Sequence, residues 1–197
     1  MLFYKVEPIY SMGFLSMVRF VGIAGSLRPD SYSQQALHLV AKRLNALGAE
    51  VEILDLRTMN LPFCDGSDEY PAYPDVDRLR QAFKRADGMI LATPEYHGSV
   101  SGVIKNALDL MSFEHLDGKV AGLISVLGGQ SNSNALNDLR TIMRWVHAWV
   151  IPDQIAIGQA WQAFESTGEL RDAKLAQRFD QFAESLVVTT EKFQRAA

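Results

Sequence analysis

Five short apolar runs rich in β-branched residues alternate along the chain with stretches whose apolar residues recur at intervals of three and four. Strands that are apolar throughout must be covered on both faces, and the intervening amphipathic helices supply that cover. The alternation therefore predicts a parallel sheet between two helical layers. The predicted strands are 18–23 (Val18, Phe20, Val21, Ile23), 49–56 (Val51, Ile53, Leu54), 88–92, 119–125 and 148–157, the last kinked by Pro152. The first predicted helix runs from Gln34 on a stripe of Leu37, Val40, Leu44 and Leu47, and Gly48 stops it. Further helices are predicted over 75–86, 100–111, around the stripe Leu136, Leu139, Met143 and Val146, and over 172–195. Residues 57–74 are rich in Pro, Gly, Asp and Tyr without a period, so they form a long surface loop of the kind that often carries function.

Right-handed crossovers leave few ways to thread five such strands, and the favoured one is a flavodoxin-like three-layer sandwich with strand order 2-1-3-4-5. In that order the first and third strands lie side by side at the switch point, and the loops after strands 1, 3 and 4 converge at one end of the sheet. The first of these loops contains Gly25, Ser26, Arg28, Ser31 and Ser33 and opens into a helix. Free amides at a helix start, hydroxyl donors and a guanidinium together suit a dianionic phosphate. The loop is neither G-x-G-x-x-G nor G-x-x-x-x-G-K-[ST]. Taken alone it also reads as a strand-to-helix turn in which Ser31 or Ser33 is an N-cap and Arg28 is solvated.

The second loop, Thr93-Pro94-Glu95-Tyr96-His97-Gly98-Ser99, combines a fixed φ at Pro94, a glycine that lets backbone lie close to a flat surface, and an aromatic wall with a polar tip at Tyr96. The third, 125–130, begins at Ser125 and contains Gly128 and Gly129, which leave space and expose amides. A phosphate at the first loop and a planar, heteroatom-edged ring between the other two describe flavin mononucleotide (FMN).

The stretches GSLRPDSYS from Gly25, ADG from Ala86, TPEYHGSVSGVIKNALD from Thr93, Gly118-Lys119, and Gly128-Gly129 together resemble the NADPH-dependent FMN reductase family, over about residues 18–157. The resemblance implies that Ser26, Arg28, Ser31 and Ser33 hold the flavin phosphate. It implies that Pro94, Glu95, Tyr96, His97 and Gly98 hold the isoalloxazine ring and that Ser125, Gly128 and Gly129 close its other side. The chain departs from the family pattern at Leu110, where tryptophan is frequent, and at His97, where asparagine is frequent. The implied activity is two-electron transfer from NADPH or NADH through FMN to a quinone, azo dye, metal oxyanion or free flavin. The alternative is a flavodoxin-type electron carrier, which Arg28 and the mild net charge disfavour.

The formal charge of −4 and the scatter of Lys and Arg exclude a basic field for nucleic acid. The single cysteine, Cys64, excludes an internal disulfide and fits a reducing cytoplasm. No apolar run reaches the roughly 20 residues of a membrane span. Residues 1–16 lack a clean period and read as a poorly ordered N-terminal extension, with 17–197 as a single domain. His97 is a candidate proton donor to a reduced quinone, although its simpler role is to shape the loop. Glu95 reads as a carboxylate turned outward or paired with an Arg of a partner chain. Trp145, Trp149 and Trp161 read as core or interface residues, and Phe164 as exposed or partner-covered. A shallow crevice in a small domain excludes little water, so the reading includes a homodimer or homotetramer, with Phe113 and the Trp161 segment near the shared site.

Overall fold

The computed structural model describes residues 17–130 and 133–196; the expectation of an N-terminal extension over 1–16 lies outside the described residues. Five strands, β1 (Arg19–Ala24), β2 (Glu50–Leu54), β3 (Gly88–Tyr96), β5 (Val120–Val126) and β6 (Trp149–Ile157), form a parallel sheet in the spatial order β2-β1-β3-β5-β6. In chain order β3 is followed by a short antiparallel partner of its C-terminal end, β4 (Ser99–Val100), which lies off this path. Apart from β4, this is the expected five-strand order. Helix α1 (Tyr32–Ala46) and the C-terminal helix α7 (Ala173–Ala196) cover one face. Helices α2 (Pro74–Arg85), α3 (Gly102–Asp109), the single-turn α4 (Phe113–Leu116) and α5 (Asn134–Trp145) cover the other.

The central strands show why the layering is obligatory. In β3, Ile90 and Ala92 enter the core beneath α1 and α7, while Met89 and Leu91 enter the core beneath α2, α3 and α5. Both residue sets are buried, as period-two alternation between two covered faces requires. Phe179 and Phe182 of α7 are fully buried against the sheet, each ring stabilising the fold by roughly 1.5–3 kcal/mol. The β5/β6 register slips between Ala121↔Val150 and Leu123↔Gln154, at the predicted Pro152 kink. Arg140 of α5 bridges the slip by donating to the carbonyls of Ile151 and Pro152 and to Oε1 of Gln154.

Several element ends differ from the sequence reading, each for a local reason. Helix α1 starts at Tyr32 rather than Gln34, because Ser31 Oγ caps the Gln34 amide at 3.2 Å. Leu47 is its C-cap and is exposed, not part of the buried stripe. Strand β3 continues through Thr93 and Pro94 to Tyr96, and Val100 belongs to the hairpin rather than to the following helix. Phe164 is buried within its own chain, stacked on Tyr32 with ring centroids 5.5 Å apart, which corrects its reading as exposed or partner-covered. Trp145, Trp149 and Trp161 are each more than half exposed and are not core.

Candidate functional site

The ends of β1, β3 and β5 are joined into one rigid rim. Gly25 N donates to Ala92 O at 2.8 Å, tying the first loop to β3. Ser101, the N-cap of α3, donates its hydroxyl to Gly25 O at 2.6 Å and accepts from Ile104 N, while its own amide donates to Thr93 Oγ1. A Cβ on Gly25 would lie 2.5 Å from Ser101 Oγ and 2.7 Å from Ile104 Cβ, so α3 and its cap approach the backbone closely at this glycine. From the far side, Arg57 donates to Pro29 O at 3.0 Å and grips Asp55 through Nε and Nη2. Those hydrogen bonds hold the Asp55 carboxyl below its ordinary range.

Around this rim lies a crevice of about 350 Å³. Ser26, Arg28, Ser31 and Ser33 line it from the first loop, Pro94, Glu95 and Tyr96 from β3, and Gly128 from the loop after β5. The three serines are buried, whereas the Arg28 guanidinium is exposed and has no partner among the described residues. Ser31 caps Gln34, so the helix-start amides of Tyr32 and Ser33 are left without intrahelical acceptors. Helix α1 has no acidic residue in its first turn, although the exposed Asp30 also lines the crevice. A Cβ added at Gly128 or Gly129 would meet nothing within 4 Å, so internal packing does not require these glycines.

Four expected residues lie off the lining. Ser125 is fully buried on β5, its hydroxyl without a hydrogen-bond partner among the described residues. The carbonyl of Gly129 accepts from Gln159 N at 2.7 Å and so braces the third loop against the chain after β6. His97 and Gly98 form the two-residue connection between β3 and β4, with φ of 53° and 79°. Two consecutive positive φ values are the signature of a type I′ hairpin turn, for which asparagine-glycine is the preferred pair. His97→Asn should therefore stabilise the protein by about 0.5 kcal/mol, raising the thermal midpoint by roughly 1–2 °C in calorimetry. No change in midpoint would show that the turn carries no strain.

Glu95 is not simply turned outward, as one of its two readings had it, but turned toward α5. Its Oε2 accepts from Ala135 N at 3.2 Å at the start of α5, where a carboxylate complements the helix dipole. Ser99 donates to Asp138 Oδ2 at 2.6 Å, so the β3–β4 hairpin is docked on α5 through two contacts. Sequence reasoning did not assign Asp30, Tyr32, Val126, Leu127 and Ala160 to the lining. Tyr32 opens the helix on which the first loop ends. Val126, Leu127 and Ala160 follow β5 and β6, whose ends the strand order places at the same edge. Trp161 also lines the crevice, at the start of the short helix α6 (Ala160–Ala163), whereas Phe113 lies elsewhere, against the ring of His147.

The profile of a family described as NADPH-dependent FMN reductase matches residues 18–162. The chain is 33% identical over 175 residues to the NADPH-dependent FMN reductase ArsH of Shigella flexneri, covering 86% of this chain and 68% of that protein. It is 32% identical over 171 residues to an FMN-dependent NADPH-azoreductase of Staphylococcus aureus, covering 84% and 91% respectively. Among solved structures, FerB, a flavoenzyme NAD(P)H:(acceptor) oxidoreductase from Paracoccus denitrificans, superposes with a TM-score of 0.75 at 24% identity, over 89% of this chain and 98% of that one. A flavodoxin from the domain Archaea superposes with a TM-score of 0.62 at 10% identity, over 88% and 99%. The last two similarities speak to the fold alone.

Proposed function

The chain belongs to the NADPH-dependent FMN reductase family, and from that premise we propose that it is an FMN-dependent NAD(P)H oxidoreductase whose flavin occupies the crevice at the ends of β1, β3 and β5. The observation that carries the reading is the first loop. Three buried serines, two helix-start amides and a guanidinium without a partner among the described residues line one crevice together. That donor set fits a phosphate ester. Pro94, Tyr96, Gly128 and Trp161 line the same crevice, and in this reading they enclose the planar ring.

FMN, when bound, supplies the hydride chemistry, and the protein's part is to bind, orient and shield. Ser26, Ser31, Ser33 and Arg28 anchor the phosphate. The hairpin carrying Tyr96 holds its position through Glu95 and Ser99 on α5, and His97 shapes its turn. The net reaction is NADPH, a proton and an oxidised acceptor giving NADP⁺ and the two-electron-reduced acceptor. We propose a small organic molecule, a metal oxyanion or free flavin as acceptor, and a homodimer or homotetramer that covers the crevice more fully. No helix among the described residues is long and apolar enough to cross a membrane. We place the enzyme in the cytoplasm, where reduced nicotinamide is regenerated.

The test is anaerobic mixing of the FMN-loaded protein with NADPH alone. Complete bleaching of the yellow absorbance within the time of a catalytic cycle is expected, followed by recolouring on addition of an acceptor. Nicotinamide and acceptor use one open face in turn, so steady-state double-reciprocal plots should be parallel. A protein that retains FMN but is bleached only by dithionite would overturn the reductase reading in favour of an electron carrier.

A further inference from the structure

The first turn of α1 obeys a local rule only by half. Ser31-Tyr32-Ser33-Gln34 is a capping-box sequence, in which the first residue's hydroxyl caps the fourth residue's amide and the fourth side chain reaches back to the first residue's amide. The first half is made: Gln34 N donates to Ser31 Oγ at 3.2 Å. The second is not. The Gln34 side chain turns away, and its Nε2 donates to Asp55 Oδ1 at 3.4 Å. Gln34 Oε1 is left buried with no hydrogen-bond partner among the described residues, so the Ser31 amide is not spent on it. Closing the box would satisfy both groups at once, and a buried acceptor without a donor lowers stability. A local rule broken at such a cost points to a function that needs the broken arrangement.

Asp55, directly after β2, holds that arrangement. Its carboxylate accepts from Gln34 Nε2 and from Nε and Nη2 of Arg57, whose Nη1 donates to Pro29 O. The segment from Pro29 to Gln34 is therefore held at both ends through one carboxylate. Ser31 and Ser33, which line the crevice, lie between the two held points, whereas Asp55 is not on the lining.

We infer that Asp55 is a positioning residue for the flavin phosphate: by drawing Gln34 away from Ser31 it keeps the capping box open, and the Ser31 amide stays available as a donor to the phosphate. Without Asp55, Gln34 Oε1 takes that amide and the phosphate loses a donor. This rests on the crevice being the flavin site. The inference carries a sign opposite to that of simple electrostatics. A carboxylate repels a nearby phosphate, so charge alone makes removal of Asp55 tighten FMN, and release of Arg57 from its partner adds to the tightening. Loss of the Ser31 amide weakens FMN instead.

The experiment measures FMN and riboflavin dissociation constants of the full chain by quenching of flavin fluorescence. Asp55→Ala should bind FMN about tenfold more weakly, the worth of one hydrogen bond to a charged group, with riboflavin changed by less than about twofold. Asp55→Ser keeps a hydroxyl for the turn bond to Arg57 N but is too short to reach Gln34, so it carries the same expectation should the alanine variant not fold. Asp55→Asn retains a carbonyl oxygen for Gln34 Nε2 and should lose no more than about threefold. In the double variant Asp55→Ala with Gln34→Met, the side chain at 34 has no oxygen with which to close the box, and FMN affinity should return to near that of wild type. A merely structural role for Asp55 gives no such recovery. Tighter FMN binding in Asp55→Ala or Asp55→Ser, equal losses of both flavins, or no recovery in the double variant would overturn the proposal. Failure of the flavin reading would show differently, as a wild-type protein that does not prefer FMN to riboflavin.

Discussion

Gly25→Ala is expected to destabilise the protein by about 2–3 kcal/mol and to release much of its flavin. The added Cβ would stand 2.5 Å from Ser101 Oγ and 2.7 Å from Ile104 Cβ. Neither atom can retreat cheaply. The hydroxyl is buried and held by Gly25 O and Ile104 N, and Ile104 Cβ is the branch point of a fully buried side chain on α3. Overpacking of this kind costs roughly 1–3 kcal/mol, and losing the Ser101 hydrogen bonds adds about 1 kcal/mol. Relaxation would move the first loop away from α3, so, with the phosphate held there as proposed, FMN affinity should fall with stability. The control is Gly102→Ala, one residue past the same cap, where a Cβ meets nothing within 4 Å. It should be neutral or stabilising by up to about 1 kcal/mol. Urea unfolding of both variants, with released flavin read by fluorescence, checks the pair. Equal stability of the two would mean that the contact with α3 does not fix the loop.

The layers were legible in the sequence because every central strand is apolar on both faces, which only one arrangement of alternating elements tolerates. Ile90 and Met89 enter different cores, and no periodicity was needed to see that both are buried. The grouping of Ser26, Arg28, Ser31 and Ser33 on one crevice was legible because these residues are close together in sequence. What escaped was carried by contacts distant in sequence. The partner of Glu95 is an amide 40 residues away at the start of α5, so the carboxylate's role depends on how two elements meet. The β3–β4 hairpin was missed because histidine occupies a turn position where asparagine would have announced positive φ. The neighbour that crowds Gly25 is likewise distant in sequence: it is α3, whose cap Ser101 lies 76 residues on in the chain. Phe164 carried no signal of its own burial; its shelter is the Tyr32 ring, which is 132 residues away in the chain.

Arg28→Ala should weaken FMN while leaving riboflavin almost unaffected. The guanidinium lies on the lining beside three buried serine hydroxyls and has no partner among the described residues, so deleting it orphans no carboxylate and opens no cavity. The change in affinity therefore reports the phosphate contact itself. A hydrogen bond to a charged group contributes about 1.5–3 kcal/mol, or roughly tenfold to a hundredfold in dissociation constant. Because Arg28 is exposed, solvent screening places the expected loss near the tenfold end. The same exposure makes it salt-dependent: between about 0.05 and 0.5 M ionic strength the difference between wild type and variant should shrink several-fold. Arg28→Lys should recover only part of the loss, since an ammonium keeps the charge but not the two-pronged donor geometry. Riboflavin lacks the phosphate and serves as the internal reference. If both flavins weaken equally, Arg28 positions the ring or the loop rather than the phosphate. If neither weakens, the anion is held by the serine hydroxyls and the amides of α1 alone, and Ser26→Ala becomes the variant that must show the loss.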